Sequence, residues 1–138
     1  MIISSISEDK KIEKRVSITP EISKKYINLG FEIIISENYG AHLGFEDKEY
    51  IDLGVKVLNN EKEIVEKSDI IIQLGLLSDD KISLLKENQI LIGSLNPYEN
   101  KNKIDEITKK KINVFSLELL PRITRAQSMD ILSSQANL

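Results

Sequence analysis

An α/β fold built on a mainly parallel, doubly wound sheet is predicted by three features of the sequence. Short β-branched runs recur along the chain, at residues 2–6, 31–36, 55–58, 69–74, 90–95 and 113–117. Some of them, such as Ile33-Ile34-Ile35 and Ile70-Ile71-Ile72, do not alternate apolar with polar residues, the pattern of a strand covered on both faces. Helical segments with distinct starts and stops separate the runs, and strand alternating with helix sets the strands parallel in one sheet.

Each helix has its own punctuation. Thr19-Pro20-Glu21 supplies an N-cap hydroxyl, a proline with preset φ and a first-turn acid, and Gly30 is the stop. Ile22, Tyr26 and Leu29 share one face of this helix by spacing. Asn60 and Glu63 have capping-box spacing and open a helix to about Lys67. Ser78 opens the next, with Ile82 and Leu85 facing inward. Residues 101–111 form a more polar helix whose apolar edge is Ile104 and Ile107. Thr124 caps a last helix through Met129, Leu132 and Ala136. No repeat, low-complexity tract or linker interrupts the chain, so a single domain over residues 1–138 is expected, a flavodoxin-like three-layer α/β/α arrangement. The sequence stops at Leu138 without a C-cap residue, and the natural protein is expected to continue.

Composition narrows the function classes. The 138 residues are 41% hydrophobic and 30% charged, with a net charge of -3, which suits one soluble globular core. A mildly acidic balance gives no global field for nucleic acid or anionic lipid. The absence of cysteine excludes disulfides, cysteine–zinc sites and a thiol nucleophile. Residues 1–11 lack the basic and long apolar regions of a signal peptide. No apolar run approaches the ~20 residues that span a bilayer, so direct membrane insertion is not expected.

Several motifs are missing. The six glycines, at 30, 40, 44, 54, 75 and 93, form neither G-x-G-x-x-G nor a P-loop. The one histidine, His42, lies between Gly40 and Gly44 and reads as a surface residue. No second histidine or acidic cluster stands at metal-ligand spacing, so no metal site is expected. Lys109-Lys110-Lys111 follows Asp105 and Glu106 and reads as a solvated helix end favoured by the helix dipole.

The densest polar stretch beside apolar anchors is residues 118–138, which leaves the last strand at its C-terminal end. That edge of an open α/β sheet is where ligands bind. Gln127, Asp130 and Ser134 share one helix face, opposite Met129, Leu132 and Ala136, and Arg122 lies just before the helix. A guanidinium and a carboxamide together can grip an amide or carboxylate by paired hydrogen bonds. Structural readings stand beside this one. Gln127 can complete a capping box with Thr124, Arg125 and Asp130 can be exposed charges, and Arg122 can be a structural ion pair. Arg15, between the first strand and the first helix, suits an anionic ligand and equally a plain surface position.

Three of these segments also carry a family resemblance. Arg15-Val16-Ser17-Ile18-Thr19-Pro20-Glu21 resembles the R-V-A-L-T-P-E signature of the alanine dehydrogenase and NAD(P) transhydrogenase family. Gly40-Ala41-x-x-Gly44-Phe45-x-Asp47-x-x-Tyr50 resembles its next motif, and residues 121–137 look like the nicotinamide-side loop of the transhydrogenase branch. The resemblance implies an N-terminal domain of an NAD(H)-binding alpha subunit, followed by a glycine-rich Rossmann domain with NAD(H) in the cleft between them. It implies NADP(H) on a separate domain, a proton-moving membrane component, and a cytoplasmic position at the inner membrane held through those partners. Hydride passes directly between the nicotinamides, so no acid–base residue is implied and the protein's work is positioning. By the same resemblance, Arg122, Gln127, Asp130 and Ser133 line the NAD nicotinamide, with Arg15 a further candidate. Where alanine dehydrogenases carry a lysine and a histidine, this chain has Gln73 and Asn96, neither a general base near neutral pH. Two alternatives stay open: a fragment of an alanine dehydrogenase-like amino-acid dehydrogenase, and a non-catalytic binding module of the same fold.

Overall fold

The computed structural model describes residues 1–119, which form one six-stranded sheet. The strands are β1 (Ile2–Ser5), β2 (Glu32–Ser36), β3 (Lys56–Leu58), β4 (Ile70–Gln73), β5 (Ile90–Gly93) and β6 (Asn113–Ser116). All neighbours pair in parallel, in the order β3-β2-β1-β4-β5-β6. That is the doubly wound sheet the sequence predicts. With the three-residue edge strand β3 set aside, the other five follow the 2-1-3-4-5 order of flavodoxin-like sheets, and with it the order is 3-2-1-4-5-6.

Five α-helices connect the strands: α1 (Pro20–Asn28), α2 (Asp47–Asp52), α3 (Glu61–Lys67), α4 (Asp79–Ile82) and α5 (Lys101–Lys109). Thr19 caps α1, its Oγ1 accepting from the Ile22 N–H at 3.2 Å. Asn60 caps α3 through the Glu63 N–H at 3.3 Å. These helices start where the cap residues place them. Gly30, with φ of 99°, follows α1, a left-handed position that glycine adopts without steric cost.

The sheet separates two apolar layers. On one face the register row Ile34, Ser4, Ile71, Leu91, Val114 runs across five strands. It packs with Ile64 and Val65 of α3, Ile82 of α4 and Ile107 of α5. Ser4 is buried within this row, its hydroxyl on that of Ser68. On the other face Ile3, Ile33, Ile35 and Ile72 meet Tyr39, Tyr50 and Val55, with Ile22, Tyr26 and Ile27 of α1 against them. Strands buried on both faces explain why isoleucines stand consecutively in the sequence.

The structure adds to the sequence reading in two places. Leu29 is 73% exposed. The inward face of α1 centres on the buried Ser23, whose small side chain bonds back to the Pro20 carbonyl at 2.6 Å. Ile22, Tyr26 and Ile27 flank that centre, and Leu29 falls on the far side as the C-cap. The helix α2 and the 3-10 turn Ala41–Leu43 before it were not expected. Only Tyr50 of α2 is buried, so the segment has too little apolar periodicity to be read as a helix.

Candidate functional site

Chain connections from β1 and β4 leave the middle of the sheet in opposite directions, β1 toward β2 and β4 toward β5. The strand ends diverge there and leave a crevice at the carboxyl edge, the usual ligand position of a doubly wound sheet. An open cleft of about 1130 Å³ occupies this place. Its walls come from the segments after β1 (Ser7, Glu8), β4 (Leu74, Gly75) and β5 (Ser94, Asn96), with Arg15 from the first loop.

A continuous hydrogen-bond chain fixes the floor. Gln73, at the end of β4, is 2% exposed. Its Oε1 accepts from the Ile6 N–H at 2.8 Å and the Ser5 hydroxyl at 3.1 Å. Its Nε2 donates to the Ile6 carbonyl at 3.1 Å and to Glu8 Oε1 at 3.0 Å. A buried carboxamide satisfied on both atoms costs little and fixes one geometry. Gly93 faces Gln73 across the β4–β5 ladder. A Cβ there would stand 2.2 Å from the Gln73 carbonyl oxygen, so this contact admits only glycine.

Glu8 Oε1 also accepts from the Leu74 N–H at 2.7 Å and the Gly75 N–H at 3.3 Å. One carboxylate thus ties the end of β1 to the end of β4. Burial raises its pKa above the usual value, against the pull of these hydrogen bonds. Glu118 makes a similar tie between the ends of β5 and β6. It accepts from the Asn96 N–H at 2.8 Å and the Ser116 hydroxyl at 2.7 Å.

The first and second sequence motifs turn out to be one structure. The Tyr39 hydroxyl accepts from the Ser17 and Ile18 N–H groups at 2.9 and 3.2 Å and pairs with the Ser5 hydroxyl at 2.8 Å. Tyr50 donates to the Ile18 carbonyl at 2.8 Å. The two rings meet edge to face at 6.2 Å. Burial pushes the Tyr39 pKa up to about 12 and raises that of Tyr50 as well. Asp47 accepts from the Asn38 N–H through both oxygens at 3.0 Å, anchoring α2. The tyrosines therefore hold the Ser17–Ile18 backbone, and with it the loop that carries Arg15.

Arg15 reaches the cleft, its side chain about half exposed, and binds Glu13 with two bonds of 2.9 and 3.1 Å. The guanidinium bond holds the Glu13 carboxyl below its ordinary pKa. Gln73, read from the sequence as a missing lysine, is a structural carboxamide. Asn96 lies on the cleft wall with its side chain on Glu99 at 2.8 Å. His42 is exposed, its Nε2 2.6 Å from the Lys14 carbonyl. Lys110, after α5, donates to the Ile82 carbonyl at the end of α4 at 3.0 Å, and Lys111 makes an exposed pair with Glu87. Arg122, Gln127, Asp130, Ser133 and Ser134, with the helix expected after Thr124, lie outside the described residues. Among the described residues no three His, Asp or Glu side chains group as metal ligands. No helix among them is long and apolar enough to cross a membrane.

Strand order and the switch-point cleft define a doubly wound α/β domain, with no glycine-rich turn after β1. The chain belongs to the alanine dehydrogenase/PNT N-terminal domain family, whose family model matches residues 5–138. It is 39% identical to an NAD(P) transhydrogenase subunit alpha protein of Rickettsia prowazekii, covering all of this chain and 37% of that protein. A transhydrogenase structure from Sinorhizobium meliloti superposes with a TM-score of 0.87 at 34% identity, over 99% of this chain and 41% of the other. An L-alanine dehydrogenase structure shares the fold, with a TM-score of 0.79 at 19% identity over 86% of this chain and 32% of the other. The chain thus spans well under half the length of the transhydrogenases it matches.

Proposed function

We propose that this chain forms the nicotinamide-side wall of an NAD(H) cleft in a proton-translocating NAD(P) transhydrogenase. The observation that carries the reading is similarity over the whole chain to a transhydrogenase alpha subunit, joined to a cleft at the switch point. The described lining carries six carboxylates against three basic side chains. Such a wall suits the amide-bearing end of a dinucleotide better than its pyrophosphate, which a glycine-rich turn would hold in a following Rossmann domain. The nucleotide supplies the hydride, and this chain's residues orient and exclude. In this reading Arg122, Gln127, Asp130 and Ser133 hold the nicotinamide side, and Arg15 lines the entrance. NADP(H) and the proton path belong to partner components, which keep the domain at the cytoplasmic face of the inner membrane.

In the full assembly, Arg122→Ala and Asp130→Asn are expected to slow single-turnover hydride transfer tenfold or more, about 1.4 kcal/mol in barrier, with the melting temperature nearly unchanged. Full rates, or losses that only track unfolding, would remove these residues from the site. An amino-acid dehydrogenase reading is disfavoured by Gln73, whose carboxamide is committed to the backbone and Glu8. Robust pyruvate-dependent NADH oxidation by the full-length protein would reinstate it.

A further inference from the structure

The Leu74 and Gly75 N–H groups are consecutive, sit at the carboxyl end of β4, and point to one oxygen. Successive backbone N–H groups of this kind make an anion-binding concavity. In a doubly wound sheet this edge is where the anionic group of a ligand is commonly received. Here the position is already filled, and the group that fills it is a carboxylate of the same chain.

The geometry points to Glu8 as a built-in anion that closes the Leu74–Gly75 amide pair of the switch point to phosphate and carboxylate ligands. Three features hold it there. Gln73 Nε2 donates to the same oxygen at 3.0 Å. Gln73 is itself fixed by Ser5 and by both backbone groups of Ile6. Glu8 follows Ile6 by two residues, so the carboxylate returns to β4 over a short, tethered path. Among the described residues the rest of the wall adds repulsion, with five further carboxylates against three cations. A ligand entering the cleft therefore meets acceptor oxygens, and groups that donate hydrogen bonds are favoured over groups that carry negative charge. This is a statement about which chemical group these two amides exclude, whichever ligand the cleft takes.

Anion titration followed by backbone amide NMR tests it on the 138-residue chain. Inorganic phosphate and acetate, compared with chloride at equal ionic strength, are expected to leave the Leu74 and Gly75 amides of the unaltered chain in place. In Glu8→Ala the same anions are expected to move both amides in a saturable way. The variant is also expected to melt roughly 5 °C lower, and acetate to restore at least half of that shift. Phosphate that binds at Leu74 and Gly75 in the unaltered chain overturns the proposal, and so does a folded Glu8→Ala that ignores both anions. Should Glu8→Ala not fold, Glu8→Gln decides. It keeps an acceptor on the two N–H groups and removes the charge, so phosphate must perturb them more than in the unaltered chain. Equal behaviour of the two overturns the inference.

Discussion

The two halves of the sheet are held together by different chemistry. The layer under α3, α4 and α5 is mainly aliphatic, from Ile34 and Ile71 to Leu91 and Ile107, with one buried hydroxyl pair, Ser4 and Ser68. The layer under α1 and α2 includes two tyrosines. Their hydroxyls bind the backbone of Ser17 and Ile18, and the chain of bonds continues through Ser5 and Gln73 to Glu8. One half rests mainly on volume, and the other adds a directed polar network that runs through two tyrosines to the cleft. The polar network is the half that leads to the cleft. Packing alone tolerates a few tenths of an ångström, whereas hydrogen bonds restrict both distance and angle.

Substitutions in each half measure that difference. The largest effect is expected from Ile71→Ala, in the middle of the aliphatic row and fully buried. A cavity there should cost about 2–5 kcal/mol by chemical denaturation, with little change in the slope. A loss under about 1 kcal/mol would mean that the row is loosely packed.

Tyr39→Phe comes next. The ring is kept, and the Ser17 and Ile18 N–H groups lose their acceptor, at about 1–3 kcal/mol. The pH dependence carries a second signature. Tyr39 stays protonated in the fold to about pH 12, while an unfolded tyrosine ionises near 10. The folded state binds the extra proton across that window. Its contribution is therefore complete below about pH 10 and is lost as the pH rises toward 12. Alkaline melting curves should fall less steeply in Tyr39→Phe, with Tyr50 still contributing its share in the same direction. Curves of equal slope would show that the hydroxyl is not held as described.

The smallest effect belongs to the surface of the aliphatic half. Lys67 and Glu63 on α3 pair at 2.7 Å with both side chains substantially exposed. Lys67→Ala should cost only about 0.3–0.5 kcal/mol, less still in high salt. If it matched Tyr39→Phe, the contrast between a polar framework and a solvated ion pair would fail.

The aliphatic half is the legible one. Consecutive isoleucines announce β2 and β4, and Asn60 and Ser78 mark where α3 and α4 begin, because burial and capping are local properties of sequence. Spacing alone fixes relative angles on a helix and leaves open which face turns inward, as Leu29 shows. The site is only partly legible. Arg15 can be found from its place between strand and helix. Glu8 reads as one charge in a polar loop, since its partners Leu74 and Gly75 are more than sixty positions away. No periodicity or spacing rule links residues so far apart. Tyr39 and Tyr50 are hidden for the same reason, their targets lying 22 and 32 positions upstream.

The pairing of β1 with β4 joins Ile3 to Ile70, and that distance along the chain sets when the cleft can exist. Closing so long a loop carries a larger entropic cost than forming the β1–β2 or β4–β5 units, whose connections are far shorter. Each of those units can in principle assemble from nearby sequence, but neither contains both walls of the crevice. The binding edge is thus a property of the completed topology, with a high contact order at its centre. Whatever occupies it reports on the folded population as a whole, and occupancy and global stability rise or fall together.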